Sequence, residues 1–281
     1  MKQSAILLLA ILFISATAIA ETLRVDAGTI HYEIRGKGPA IVLLHGGFGD
    51  RRMWNEQFDV LADSYQVVRY DQPGFGQSSK PEAAYSPVSV LLQLLDHLGI
   101  QKTYLIGNSM GGTLAIDFTL LHPDRVVGIV LVGSGPGGFP FPKEDQDKMN
   151  AVFSIAAQKG LPAAVELWLV NPMVAVAMSN ARTKELLSKM LNDNSGIFLM
   201  RFWPVEKMEP PAIQRLKEIK KPTLIIIGDK DTPLIREFAG TASSGISGAK
   251  QIVIQDADHL PQMERPAEFN KAVLEFLKIQ P

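Results

Sequence analysis

Short apolar runs recur along the chain at Ile41 to Leu44, Val67 to Tyr70, Tyr104 to Ile106, Val126 to Val132, Leu224 to Ile227 and Ile252 to Ile254. They are too short for buried helices and lack the strict alternation of a half-exposed strand. Such runs suit strands covered on both faces, as in a parallel sheet. Between them lie helical patterns. Val90, Leu91, Leu94, Leu95 and Leu98 share one helix face, closed by Gly99 at a C-cap position. The alternation of strand and helix predicts a doubly wound α/β domain with a mostly parallel central sheet, helices on both faces, and its chemistry on loops at the carboxyl ends of strands. Ahead of it, Leu23 to Val25 and Ile30 to Ile34 alternate around Asp26-Ala27-Gly28. That pattern predicts a hairpin at a half-exposed sheet edge.

The alternation breaks between about 135 and 211. Helical, methionine-rich and proline-punctuated sequence replaces the strand signal there, which divides the chain into a core of 21–134 and 212–281 with an insertion at 135–211. The insertion's apolar positions include Phe153, Trp168, Met173, Leu187, Met190 and Trp203. The first twenty residues are different again. Lys2 gives a positive start, Ala5 to Ile14 an apolar run, and Ala18-Ile19-Ala20 a small-x-small site. The run is short for the roughly 18 or more apolar residues of a membrane span. It predicts a signal peptide over 1–20, cleaved ahead of Glu21, and a periplasmic or secreted product with no membrane span after cleavage.

The chain has 46% hydrophobic and 20% charged residues, so folding is expected throughout, and a net charge of -1 leaves no field to gather nucleic acid. It has no cysteine, which excludes a thiol nucleophile and thiolate metal sites. No metal is expected.

Gly107-Asn108-Ser109-Met110-Gly111 stands between a strand run and a helical stretch in which Leu114, Ala115 and Phe118 share a face. This is the strand-turn-helix setting of a nucleophile elbow, whose turn exposes the serine hydroxyl while side chains at the flanking positions would collide. Gly107 and Gly111 remove those side chains. A serine hydroxyl needs a base, and the base needs an acid to fix its tautomer. Of the five histidines, His259 is placed best, on the loop after Ile252 to Ile254 and before the final helix. His31 lies in the hairpin, His97 on an amphipathic helix, His122 at a helix end, and His45 opens a turn it is expected to order. Asp231 is the expected acid, at a loop tip after Leu224 to Ile227. Asp229 is its nearest competitor, with a turn-ordering role instead. An oxyanion hole needs backbone donors, expected from Met110 after the nucleophile and from Gly47 within His45-Gly46-Gly47-Phe48-Gly49.

At these residues the chain resembles the alpha/beta-hydrolase superfamily. HGGFGD at 45–50, DQPGFGQS at 71–78, GNSMGG at 107–112, HPDRV at 122–126, GDKD at 228–231 and DHLPQMERP at 258–266 stand in order. The order Ser, Asp, His is that of this fold. The resemblance implies a helical cap at about 135–211, a cofactor-free site, and Gly47 with Met110 as oxyanion pair. GNSMGG is most similar to a branch holding carbon-carbon bond hydrolases, lactonases and carboxylesterases. Gly47-Phe48 and Leu260 depart from the carbon-carbon hydrolases, and Asp258 replaces the glycine usual before the histidine.

The expected activity is hydrolysis of a carboxylic ester through an acyl-enzyme on Ser109, with a small-molecule substrate carrying an apolar acyl or aryl group. Phe48, Trp168, Trp203 and Leu260 are the expected pocket residues. Carbon-carbon cleavage, lactone hydrolysis, and peptide hydrolysis with Glu166 or Glu206 holding an amino terminus are the alternative enzymatic readings. A non-catalytic binding protein on the same scaffold is the rival class.

Overall fold

The apolar runs form one eight-stranded sheet. Its strands are β1 (Ile19–Val25), β2 (Gly28–Arg35), β3 (Ala40–Leu44), β4 (Gln66–Tyr70), β5 (Thr103–Asn108), β6 (Val126–Val132), β7 (Thr223–Gly228) and β8 (Lys250–Ile254). The structure, a computed structural model, describes residues 18–194, 197 and 205–279. The strand order is β1-β2-β4-β3-β5-β6-β7-β8. β2 runs antiparallel to both its neighbours, while β4, β3 and β5 to β8 are parallel. The helices are α1 (Asn55–Leu61), α2 (Pro87–His97), α3 (Met110–Leu121), α4 (Lys143–Lys159), α5 (Leu161–Leu169), α6 (Ala175–Ser179), α7 (Ala181–Asp193), α8 (Pro233–Gly245), α9 (Pro261–Glu264) and α10 (Pro266–Lys278).

Local sequence sets the ends of these elements. Ser86 caps α2 by accepting the Ser89 N–H at 3.2 Å, Pro87 occupies its first turn, and Gly99 leaves it at φ +67. Period-two alternation then divides each central strand between two cores. Val42, Leu44, Leu105 and Ile225 face α2, α3 and α8, whereas Ile41, Leu43, Ile106 and Ile226 face α1 and α10. Each such fully buried side chain is worth about 1.5–3 kcal/mol. The expectation of cover on both faces fails at β8. It is an edge strand with one neighbour, and Val253 is 44% exposed.

The residues read as a signal peptide lie mostly outside the described residues, at 1–17. Ile19 and Ala20, at the expected cleavage site, belong to β1 and pair with Ile34 and Glu33. Among the described residues no single helix is long and apolar enough to cross a membrane.

Between β6 and β7 the chain leaves the sheet and forms α4 to α7. The two ends of this excursion touch, with the Ile213 N–H donating to Gly137 O at 3.0 Å. The far end of α7 is pinned to the core by buried Asp50, which accepts from Arg52 Nη2 at 2.6 Å and from Asn194 Nδ2 at 2.8 Å. Arg52 also reaches Asp193 at 2.7 Å. The helical segment is thereby held over the carboxyl ends of β3, β5 and β7.

Candidate active site

Ser109 stands between β5 and α3 at φ +51, ψ -115, a region an ordinary residue enters at a cost of about 1–3 kcal/mol. Its neighbours show why glycine is required there. A Cβ at Gly107 would lie 2.3 Å from Gly111 O, and one at Gly111 would lie 2.2 Å from Leu44 O. The Ser109 N–H is fixed to Val132 O at 2.8 Å, and its own carbonyl accepts from Gly112 and Thr113. The side chain makes no cap hydrogen bond to α3. Met110 opens α3, so its N–H is among the first four of the helix, which have no intrahelical partner.

The glycine loop after β3 passes alongside. A Cβ on Gly46 would meet Asn108 Oδ1 at 2.5 Å and Ser109 Cβ at 3.4 Å, whereas one on Gly47 would meet nothing within 4 Å. Gly47 borders the cavity. The left-handed residue of this loop is not a glycine but Phe48, at φ +62. Its ring packs on Trp168 of α5, with centroids 4.3 Å apart. His45 is fully buried and orders the loop as expected. Its Nε2 accepts from the Gln72 N–H at 2.9 Å, which leaves Nδ1 to donate to Gly46 O at 2.8 Å, and burial lowers its pKa below the usual value.

His259 follows β8, and its loop is held against the elbow by Asn108, whose Nδ2 donates to His259 O at 3.0 Å. Gly133, at the end of β6, makes room for the imidazole. A Cβ there would stand 2.7 Å from His259 Nδ1. Asp231, after β7, is buried and turns Oδ1 toward His259 Nδ1 at 3.7 Å, while its Oδ2 accepts from the Gly228 N–H at 3.0 Å. Asp231 Oδ1 and His259 Nδ1 are both buried with no other partner. Asp229 instead accepts from the Ala257 N–H at 3.2 Å and orders the turn. At 3.7 Å the two atoms face each other beyond hydrogen-bond distance, a separation of the kind that closes when a substrate binds.

Ser109, His259, Gly47 and Met110 border one cavity of about 780 Å³ beneath the helical segment, within the usual range for a small-molecule site. Phe48, Trp168 and Leu260 line it, as do Met149, Met173 and Phe238. Trp203 lies outside the described residues. Glu166 and Glu206 are exposed and do not line the cavity, so the two carboxylates considered for holding an amino terminus are misplaced for it. The acidic groups on the wall are Glu144 and Asp145, at the start of α4, and both pair with Lys148.

A family model described as alpha/beta hydrolase fold matches residues 39–266. The chain belongs to the alpha/beta hydrolase family. Among relatives of this hydrolase is a 2-hydroxy-6-oxononadienedioate/2-hydroxy-6-oxononatrienedioate hydrolase of Escherichia coli, 31% identical over 94% of each chain. A thermophilic esterase from Thermogutta terrifontis superimposes with a TM-score of 0.78 at 27% identity, covering 94% of this chain and 98% of that one. An N-acyl homoserine lactone degrading enzyme superimposes at 0.75 with 26% identity, covering 91% and 100%.

Two residues of this hydrolase's site escaped the sequence reading. Gly133 gives the imidazole its space, and its position directly after the run Val126 to Val132 was the available signal. Asn108 holds the histidine loop from 151 positions away, a contact that no local pattern announces.

Proposed function

We propose that this protein is a serine hydrolase that cleaves a carboxylic ester through an acyl-enzyme on Ser109. One observation carries the reading. A serine in a strained elbow borders the same apolar cavity as a histidine whose inner nitrogen faces a buried carboxylate with no competing partner for either atom. His259 Nε2 takes the Ser109 proton as Oγ attacks the carbonyl carbon. The N–H groups of Met110 and Gly47 hold the resulting oxyanion. As the imidazolium forms, its Nδ1–H donates to Asp231 Oδ1 and the 3.7 Å gap closes. The carbonyl re-forms, the alcohol leaves with the proton from His259, and a water deprotonated by the same histidine releases the acid.

The cavity wall supports an uncharged, apolar acyl or aryl group. Among its described residues Lys148 is the one lysine or arginine, already paired with Glu144 and Asp145. A dianionic substrate such as the dienedioate of the Escherichia coli relative finds no unpaired cation among them. The 31% identity to that relative keeps hydrolytic carbon-carbon cleavage as the second reading.

A serine-directed phosphonate tests the chemistry, with labelling of the wild type and none of Ser109→Ala expected. Equal labelling of both overturns it. Short-chain and long-chain esters, lactones and a vinylogous diketone compared side by side test the substrate, and fastest turnover of the diketone overturns the ester assignment.

We also infer export, from Lys2, the apolar run Ala5 to Ile14 and Ala18-Ile19-Ala20. Cleavage before Glu21 leaves Glu21 to Val25 in β1 and keeps the 2.7 Å hydrogen bond from Tyr32 Oη to Glu21 Oε2. N-terminal sequencing of the mature protein tests this, with Glu21 as the expected first residue and an intact Met1 as the refutation.

A further inference from the structure

Beside His259 lies a second pair of carboxyl groups that the proposed chemistry does not use. Asp258 and Glu264, at the end of α9, are both buried. The Asp258 N–H donates to Glu264 Oε2 at 2.7 Å, and Asp258 Oδ2 accepts from the Val176 N–H at 2.7 Å. The remaining oxygens, Asp258 Oδ1 and Glu264 Oε1, are buried with no hydrogen-bond partner among the described residues. Two buried carboxyl oxygens with no donor are costly to hold as charged groups side by side, which favours a proton on one member of the pair. Burial, followed by the nearness and charge of the Asp258 carboxyl, pushes Glu264 up to about 10, with the charge of Asp231 adding in the same direction. Glu264 is the member of the pair that its surroundings hold toward the neutral form.

The pair joins two parts of the site. Val176 belongs to α6, directly after Pro172 to Val174, which wall the cavity. Asp258 is the chain neighbour of His259. We propose that Asp258 and Glu264 are positioning residues that lock α6 to the histidine loop, so that the imidazole and the cavity wall keep one register. The proposal rests on the serine-hydrolase reading above.

Among the described residues, and apart from His259, which faces Asp231, the elements packed on α9 offer no further proton source or uncommitted counter-charge. α6 carries no titratable side chain, and the Ala181–Asp193 helix meets the core through Arg52. Arg51 is committed to Glu33 and Asp71, and Arg52 to Asp50 and Asp193. Glu56 and Asp59 of α1 pair with Arg182 and Arg35. Arg265 turns to Asp256, and Glu268, Lys271, Glu275 and Lys278 of α10 are exposed. Loss of the Glu264 proton therefore sets three carboxylates, Asp231, Asp258 and Glu264, against one another beside the base.

The test measures kcat/KM on an ester, and the rate of phosphonate labelling, from about pH 6 to 10.5 for wild type, Glu264→Gln and Glu264→Ala. A misplacement of 1 Å costs on the order of 10²-fold, so Glu264→Ala is expected to lose about tenfold or more at neutral pH. Glutamine can donate to Asp258 and accept from its N–H without titrating. Glu264→Gln is expected to restore neutral activity to within about threefold and to abolish the alkaline fall of the wild type. The proposal is overturned if the wild type and Glu264→Gln fall at the same pH, or if the alanine and glutamine variants behave alike. If Glu264→Ala does not fold, the wild-type and glutamine profiles decide alone. A wild type that is neither active nor labelled overturns the hydrolase reading and this proposal with it, whereas a labelled wild type with an unchanged glutamine profile overturns only the positioning role.

Discussion

Replacing Gly111 by alanine asks whether the elbow and the glycine loop are held in register by missing atoms. The new Cβ would stand 2.2 Å from Leu44 O, 2.6 Å from Leu44 C and 2.7 Å from His45 O. All three are backbone atoms at the end of β3, so no side chain can swing aside. Restoring ordinary contact requires the elbow and the strand end to part by roughly 1 Å, and a displacement of that size costs on the order of 10²-fold in rate. The same overpacking costs about 1–3 kcal/mol of stability. At about 2–4 °C per kcal/mol, the midpoint falls by several degrees. The assay is kcat on a short ester with thermal unfolding in parallel, and Gly47→Ala is the control. A Cβ at Gly47 meets nothing within 4 Å, so its Tm is expected to match the wild type while any effect falls on substrate turnover. If Gly111→Ala keeps kcat within about threefold, the elbow is not what sets the distance between Ser109 and the glycine loop, and the reasoning fails.

The remaining predictions concern the acid, the wall and the buried carboxyl pair. Asp231→Asn is expected to lower kcat by about 10⁴-fold by favouring the wrong imidazole tautomer, while Asp229→Asn, which keeps an amide oxygen to accept the Ala257 N–H, changes it several-fold at most. Comparable losses in the two variants would reassign the acid. Trp168→Ala removes the ring packed on Phe48 and should cost about 3–5 kcal/mol in urea unfolding. It should also shift preference toward bulkier acyl groups, and an unchanged chain-length profile would place Trp168 in packing alone. Glu264 keeps in the folded state a proton that the unfolded chain loses above its ordinary 4.5, so wild-type stability falls as pH rises between that value and about 10, by at most about 1.4 kcal/mol per pH unit. Glu264→Gln is expected to match the wild type near pH 4 and to exceed it increasingly at pH 6 and 8, and a difference that does not grow with pH would refute the assignment.

What the sequence disclosed followed from local physics. The strands were legible because each is a short run that the sheet buries, and the error at β8 arose because edge position depends on which strand pairs last, not on composition. The elbow was legible because its steric demand falls on Gly107 and Gly111 themselves. Asp231 and Asp229 were harder to separate, since two carboxylates two residues apart diverge only when the turn sends one inward. Phe48 was read as a pocket residue without its left-handed backbone, because three neighbouring glycines were the natural candidates for that conformation. The Asp258–Glu264 contact with α6 joins elements 82 positions apart, and only the folded chain brings them together.

The hydrogen bond between Gly137 and Ile213 closes the base of the helical excursion, which is tied to the core again at Asp50 and Asp258. A chain whose two ends already meet can be lengthened, shortened or exchanged at an entropic cost that grows only slowly with its length, while β6 and β7 stay zipped below it. Diversification of substrate range in such a molecule is modular. The proposed catalytic residues sit on the rim of the sheet and much of the proposed pocket wall on the excursion, so new specificities can be sampled by grafting helices that keep the ties at Asp50 and Asp258.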